Sequence, residues 1–541
     1  MDFAEYRRLF GRPATDKWSL QYDSSNREIP ASILTPNNYE ISLLQNDGFG
    51  TAFWTRRYDT EHASTALWVR SLWWVVLLAE AGQVELAKTI LDRYHDFWRE
   101  VDFDPNRRGM NSQDHCLALN LRTCARIIIN PEFVDTALRV TAGELAESLV
   151  RVVEQADHFK PNNHGLMLAL AVLHAEYANP QIGRRKGRVV DSEYCIDFLN
   201  RTFEFVISDS GLVAENSPSY QGLWVEWLRE SAEVVERLYQ QQELSERYRK
   251  LAERVRQNLR FFIVDQHRML PIGDGGSVTL ATVPPRQGVF VSEPDGYYIE
   301  NNGVGTVVAF NCGFRSGTHK HADDQAIRLW IAGEEVIADA GAYSYDMNDP
   351  RVLRATSQRG HSSVFFPKFD DISGPHFYPW LNAFERIRTD FTQTKDEVVR
   401  EFRTQRVIDE TFKISRILTS APNMGYLRID DFATGPSEEC PGVRFLIPRV
   451  HDVVVDGRRA VIKSSKFIVA LEFSTEPDSI SVYSPEQGFD DTLLSSGEYP
   501  FVCPRPGEAE ACSELVAQMK PEGVHRWSLS TSITWVNLGA L

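Results

Sequence analysis

The chain has 541 residues, 43% of them hydrophobic and 25% charged, which is enough apolar side chain for two or three domains with cores of their own. A formal net charge of −17 speaks against a general binder of nucleic acid or of anionic membrane, because nothing in the overall balance offsets phosphate repulsion. It leaves room for an acidic ligand in a locally basic cleft, to which Arg122, Lys160, Arg315, Lys320, Arg354 and Arg359 could contribute.

Residues 1–20 carry Asp, Glu, Arg and Lys throughout and lack the apolar stretch of a signal peptide. The most apolar run, 67–79, is too short to span a bilayer and contains Arg70, so no membrane insertion is expected. The seven cysteines, Cys116, Cys124, Cys195, Cys312, Cys440, Cys503 and Cys512, are scattered and form no CxxC pair. These features point to the cytoplasm, or to the periplasm should a leader have been removed. Self-association into a homo-oligomer is left open. Aromatics make up 11%, with 12 Trp; they suit a sugar cleft and equally the core of a large helical domain.

In chain order, residues 1–60 read as an N-terminal arm and the start of a helical domain, and 61–275 as the helical domain itself. Apolar residues recur at helical spacing over 64–81, with Trp68, Leu72, Val75, Val76 and Ala79 on one side. The pattern returns over 84–98, 114–129, 131–156, 165–177, 192–207, 223–241 and 245–264. Asp114, Asp191 and Ser245 stand where caps are needed. Paired antiparallel helices fit this series, although periodicity does not separate a ring from a solenoid or a bundle. Turn signals then cluster over 271–288. From 289 to 541 the chain reads as short strands: 305–310, 326–331, 335–338, 407–412, 414–418, 426–431, 443–447, 459–473 and 527–536. Their close spacing predicts stacked antiparallel sheets.

Chemistry-bearing residues fall in both halves. The first half holds Asn162-Asn163-His164-Gly165 and Glu215-Asn216-Ser217-Pro218-Ser219-Tyr220; the second holds Thr318-His319-Lys320-His321-Ala322-Asp323-Asp324, Asp339-Ala340-Gly341 and His361. Each has a plain structural reading: a capped turn, a half-buried core phenol, a surface pair of imidazoles on one face of a strand, the end of a strand. As a set they suit removal of a proton beside a carboxylate. That step needs donors such as the Asn163 amide and a protonated His164 to mask the carboxylate. It also needs an acid and a base, for which Tyr220 and His319 are the candidates. A phenol begins near a pKa of about 10, so it acts as a base only if cations lower it. His321, Asp339 and His361 offer two imidazoles and a carboxylate, a donor set suited to Zn²⁺.

In the order of these boxes, Asn-Asn-His-Gly, Ser-Pro-x-Tyr, His-x-His-Ala-Asp and Asp-x-Gly, the chain resembles the heparinase II/III-like polysaccharide lyases, including the oligoalginate lyases. The resemblance implies an N-terminal incomplete α/α toroid followed by a C-terminal antiparallel β-sandwich. It implies an enzyme, a polysaccharide lyase that cleaves an anionic, uronate-containing poly- or oligosaccharide by β-elimination. By motif position, Asn163 and His164 would neutralise the carboxylate. Tyr220 would be the acid, and also the base in a syn elimination; His319 would be the base in an anti elimination. His321, Asp339 and His361 would hold a structural zinc. Gln113, His115 and Arg122 would line the substrate from one helix, with Glu215, Tyr345 and Arg354 (and the neighbouring Tyr343) as further contacts. Two rivals remain. A glycoside hydrolase on the same helical frame would use carboxylates such as Glu215, Asp274 or Asp324; a glycan-binding or assembly factor would need no acid and base at all.

Overall fold

The structure, a computed structural model, describes all residues except 11–17, 24–25, 37–38, 44–47, 56–64, 101–112, 156–157, 184–188, 266–267, 276–282, 304, 373–386, 394–398, 409–410, 487–488, 506 and 539–541. The chain divides into two compact units, Met1–Val206 with Glu226–Ala252, and Ile207–Val225 with Glu253–Leu541. Among the described residues no helix is long and apolar enough to cross a membrane.

The first unit is mainly helical, with helices Phe3–Phe10, Thr65–Arg70, Trp73–Glu80, Val84–Glu100, Gln113–Ile129, Ala137–Gln155, Asn163–Ala178 and Ser192–Val206. The run read as one helix over 64–81 is two, with residue 64 outside the described ones. Leu72 takes a left-handed backbone (φ 59°), and the Ser71 hydroxyl donates back to Trp68 O, which ends the first turn series. The run 131–156 also divides. Pro131 follows the capping Asn130, whose side chain accepts from Glu132 N, and opens only a short 3₁₀ turn, Pro131–Phe133; the long helix begins at Ala137. The segment read as an arm holds a three-stranded antiparallel sheet, Ser19–Asp23, Asn26–Leu34 and Glu40–Ser42. Helix Asn163–Ala178 packs against Gln113–Ile129 and Ser192–Val206. It buries Leu166, Leu168, Leu170, Val172 and Leu173 around its circumference, as a helix apolar on every side must.

Among the described residues the second unit is built on three antiparallel sheets. The first is a meander of Gly288–Ser292, Tyr297–Asn301, Val307–Asn311, Ala326–Ile331 and Glu334–Ile337. Tyr298, Val308, Phe310, Ile327 and Leu329 from one face join the main core. Tyr297, Ile299, Val307, Ala309 and Trp330 from the other pack on Phe261, Phe262, Ile263, Met269, Leu270 and Ile272. Tyr297–Asn301, Val307–Asn311 and Ala326–Ile331 are buried along their whole length; the two strands over 288–301 were not among those expected. The second sheet has nine strands; its last, Arg526–Asn537, lies between Tyr426–Thr434 and Phe467–Phe473. In the third, Gly442–Pro448 pairs with Glu510–Gln518 and Val364–Phe365. The expected single strand 459–473 is a hairpin, Arg459–Lys463 and Phe467–Phe473, closed by Ser464 N donating to Phe467 O. Of the expected strand 407–412, Val407 ends the strand Arg400–Val407, Ile408 N donates to Phe412 O ahead of Lys413–Ala421, and residues 409–410 lie outside the described ones. A helical N-terminal region thus precedes an antiparallel β domain.

Candidate active site

The doubly covered sheet is the platform. Thr318–Asp324 lies in the connection between Val307–Asn311 and Ala326–Ile331, and Asp339 follows Glu334–Ile337. Because neighbouring strands alternate in direction, both segments emerge at the same end. Buried polar side chains hold this end. Arg328 donates to Asn311 Oδ1 (2.6 Å) and to Asp339 Oδ2 (2.6 Å), and Asn311 donates to Asp323 O (3.0 Å). Lys320 is buried between Asp323 and Asp324. Neither His319 nor His321 is on a strand: His319 is in a turn, with a left-handed backbone (φ 55°), and His321 is in the irregular stretch after it.

Tyr220 stands near the start of helix Pro218–Arg237, where the missing proline N–H costs nothing. Ahead of it Asn216 is also left-handed (φ 53°), and its amide donates to Ser316 O and Thr318 O, both at 2.8 Å. This clip brings the Tyr220 ring onto His319, with centroids 3.7 Å apart and planes inclined by 21°. The Tyr220 hydroxyl is 3.0 Å from the Tyr345 hydroxyl. His319 Nδ1 lies 2.5 Å from Asp274 Oδ2, and His321 Nε2 lies 2.9 Å from Asp274 Oδ1. Glu215 Oε2 is 3.7 Å from His319 Nε2. Asp274 reaches this position from the segment that covers the sheet's outer face. Gly273, at φ 54°, lets it turn; a Cβ there would strike the carbonyl oxygens of Asn216 and His319.

Burial lifts the Tyr220 phenol to about 12, aided by the Asp274 and Glu215 charges against the Tyr345 hydrogen bond. It is therefore a protonated acid at neutral pH. Burial alone would also raise the Asp274 carboxyl, but hydrogen bonds from His319 and His321 outweigh it and hold it well below the usual carboxylate range.

In the first unit, Asn163 and His164 open helix Asn163–Ala178. Asn162 caps it by accepting from Gly165 N at 3.1 Å. The His164 ring lies 4.9 Å from His115. Burial, with His164 beside it, lowers the His115 imidazole to about 4. Arg122 is paired with Glu230, which His174 also approaches at 3.4 Å. Burial alone would raise the Glu230 carboxyl; Arg122 and His174 hold it at about 2. Gln113 is the first residue of its helix, and its side chain lies outside those described.

The structure employs several expected residues elsewhere. Arg354 is buried, donating to Gly497 O, Glu498 O and Glu514. Lys320 is spent on its two aspartates and Arg359 on Asp371. These cations serve ion pairs instead of lining an open basic cleft. The His321 and His361 rings are 5.6 Å apart. His321 Nδ1 and His361 Nε2 are buried without hydrogen-bond partners. Asp339 is committed: it accepts from His361 Nδ1 (2.9 Å) and from Arg328. Among the described residues no group of three His, Cys, Asp or Glu side chains is already arranged to hold a metal ion. The two imidazoles fit the zinc expectation, whereas Asp339 must exchange a partner to join them. The residue that sequence reasoning missed as a partner of the histidines is Asp274. Its Gly-Asp-Gly turn was legible; its reach to both rings was not.

Residues 288–511 match the family described as heparinase II/III-like, C-terminal. That stretch is thus a heparinase II/III-like C-terminal domain. The chain's fold is similar to that of heparinase III (TM-score 0.68, 12% identity, 92% of this chain and 81% of that one). It is also similar to that of the heparan sulfate lyase HepC from Pedobacter heparinus (TM-score 0.60, 12% identity, 99% of this chain and 82% of that one). At such identities the likeness is one of fold. No match was found among curated proteins.

Proposed function

We propose that this chain is a polysaccharide lyase that cleaves a uronate-containing poly- or oligosaccharide by β-elimination. The observation that carries the reading is the stacked Tyr220–His319 pair, a protonated phenol against an imidazole. His319 takes the C5 proton, the electron pair forms the C4–C5 double bond, and the C4–O bond breaks. Tyr220 gives its proton to the departing oxygen, so no water is consumed. Asn163 and His164 mask the carboxylate so that charge can spread into it; the positive end of their helix favours the same anion. Tyr345, beside the Tyr220 hydroxyl, and Glu215 are contacts for the sugar. The hydrolase alternative loses ground because Asp274 is occupied by two imidazoles and is poorly suited to act as a free acid.

The same reading takes the helical region as an incomplete α/α toroid and the stacked sheets as a β-sandwich, and it gives His321 and His361, completed by Asp339, a Zn²⁺ ion. When bound, the ion would supply a structural tie between the connection after Asn311 and the segment around His361. Elemental analysis should find zinc in the purified protein, and His361→Ala should lose it together with thermal stability.

The deciding experiment incubates the protein with heparan-type, chondroitin-type, alginate and bacterial uronic glycans and their oligosaccharides. Ultraviolet absorbance from the new double bond should grow, and Tyr220→Phe should abolish the growth while sparing binding. Silence of the unaltered protein across the panel would overturn the reading.

A further inference from the structure

We infer that Asp274 is a positioning residue that sets the tautomers of two histidines at once, aiming a lone pair of His319 at the substrate proton and a lone pair of His321 at a cation. The inference rests on the lyase reading for the role of His319, and on geometry for the rest.

An ionised carboxylate only accepts hydrogen bonds. Asp274 meets His319 through Nδ1 at 2.5 Å and His321 through Nε2 at 2.9 Å, one ring on each oxygen. Both nitrogens must therefore carry their protons. A neutral His319 is left with its lone pair on Nε2, the nitrogen on the Glu215 side. A neutral His321 is left with its lone pair on Nδ1, the atom that is buried without a hydrogen-bond partner. Had the two rings met Asp274 through the same nitrogen, they would present the same free nitrogen as well. The inverted docking makes one imidazole a proton acceptor and the other a ligand donor. Second-row carboxylates of this kind fix ring orientation at metal and catalytic sites alike. The turn that carries Asp274 is itself closed: Gly275 N donates to Ile272 O, and its left-handed position at Gly273 fits only a residue without a side chain.

The test is nitrogen NMR of the full-length protein labelled in its histidines, at a pH where the rings are neutral, with His319→Gln and His321→Gln used to assign the two residues. His319 should show the Nδ1–H pattern and His321 the Nε2–H pattern. In Asp274→Asn the amide offers one acceptor and one donor, so at least one of the two rings should switch. Turnover of Asp274→Ala should fall about a hundredfold or more with KM changed only a few-fold, and Asp274→Glu should restore part of it. An Nε2–H pattern for His319 in the unaltered protein, or two unchanged rings in a folded Asp274→Asn, would overturn the inference. Should Asp274→Asn fail to fold, the tautomers of the unaltered protein decide alone. Correct tautomers in a protein inactive on every glycan would sink the lyase reading and leave the role of Asp274 standing.

Discussion

The groups assigned to proton transfer and the groups assigned to charge masking are held in place in different ways. In the second unit, Tyr220, His319 and His321 are fixed by other side chains: ring against ring, hydroxyl against hydroxyl, and one carboxylate across two imidazoles. In the first unit, Asn163 and His164 stand at the first turn of a helix that Asn162 caps, with the His164 ring beside that of His115. A group that moves a proton must be fixed in tautomer and angle, which takes directional partners. A group that meets a negative charge needs a donor and a favourable field, and a helix start supplies both.

The contrast can be broken at several points. The largest effect belongs to the transfer pair: His319→Ala and Tyr220→Phe should each cut turnover by about a hundredfold to ten-thousandfold with little change in melting temperature. Removing the buried guanidinium beneath that region comes next. Arg328→Ala removes the buried cation paired with Asp339, leaving it only His361 and a backbone amide, and should cost about 3–5 kcal/mol of stability, read by thermal or denaturant unfolding. Gly273→Ala should cost about 1–3 kcal/mol through its left-handed backbone and reduce turnover by displacing Asp274. On the masking side, Asn162→Ala should cost only about 1 kcal/mol, with a modest rise in KM. The mildest probe is pH. The folded His115 binds its proton near pH 4 and the unfolded one near the ordinary 6.5, so between these values the unfolded chain holds the extra proton. Stability is therefore full above the ordinary value and declines as pH falls towards 4. His115→Gln should flatten that part of the profile in a melting series.

Much of the site was legible because its residues sit in compact boxes. Tyr220 and His319 were read as a pair, and they stack. On a strand His319 and His321 would share one face; instead they converge on a single carboxylate from a turn and an irregular stretch, a geometry that spacing does not encode. Arg354 was read as a sugar contact, but the glutamate that occupies it, Glu514, is distant in the sequence. Of the fold, helix existence was clear from the 3.6-residue period, while breaks at Leu72 and Pro131 came from local turn chemistry. Strands with one covered face alternated visibly. Tyr297–Asn301, Val307–Asn311 and Ala326–Ile331, buried along their whole length, carry no such contrast.

That missing contrast bears on how the platform keeps its alignment. A strand with one wet face is anchored by polarity, since sliding it by one residue would turn its oily side outward. Val307–Asn311 and Ala326–Ile331 have no wet face, so grease alone would accept a slipped pairing. The teeth that forbid it are Asn311 and Arg328, meshed with each other and with Asp323 and Asp339. The ion pair that underlies the candidate site therefore also works as the indexing key of its sheet.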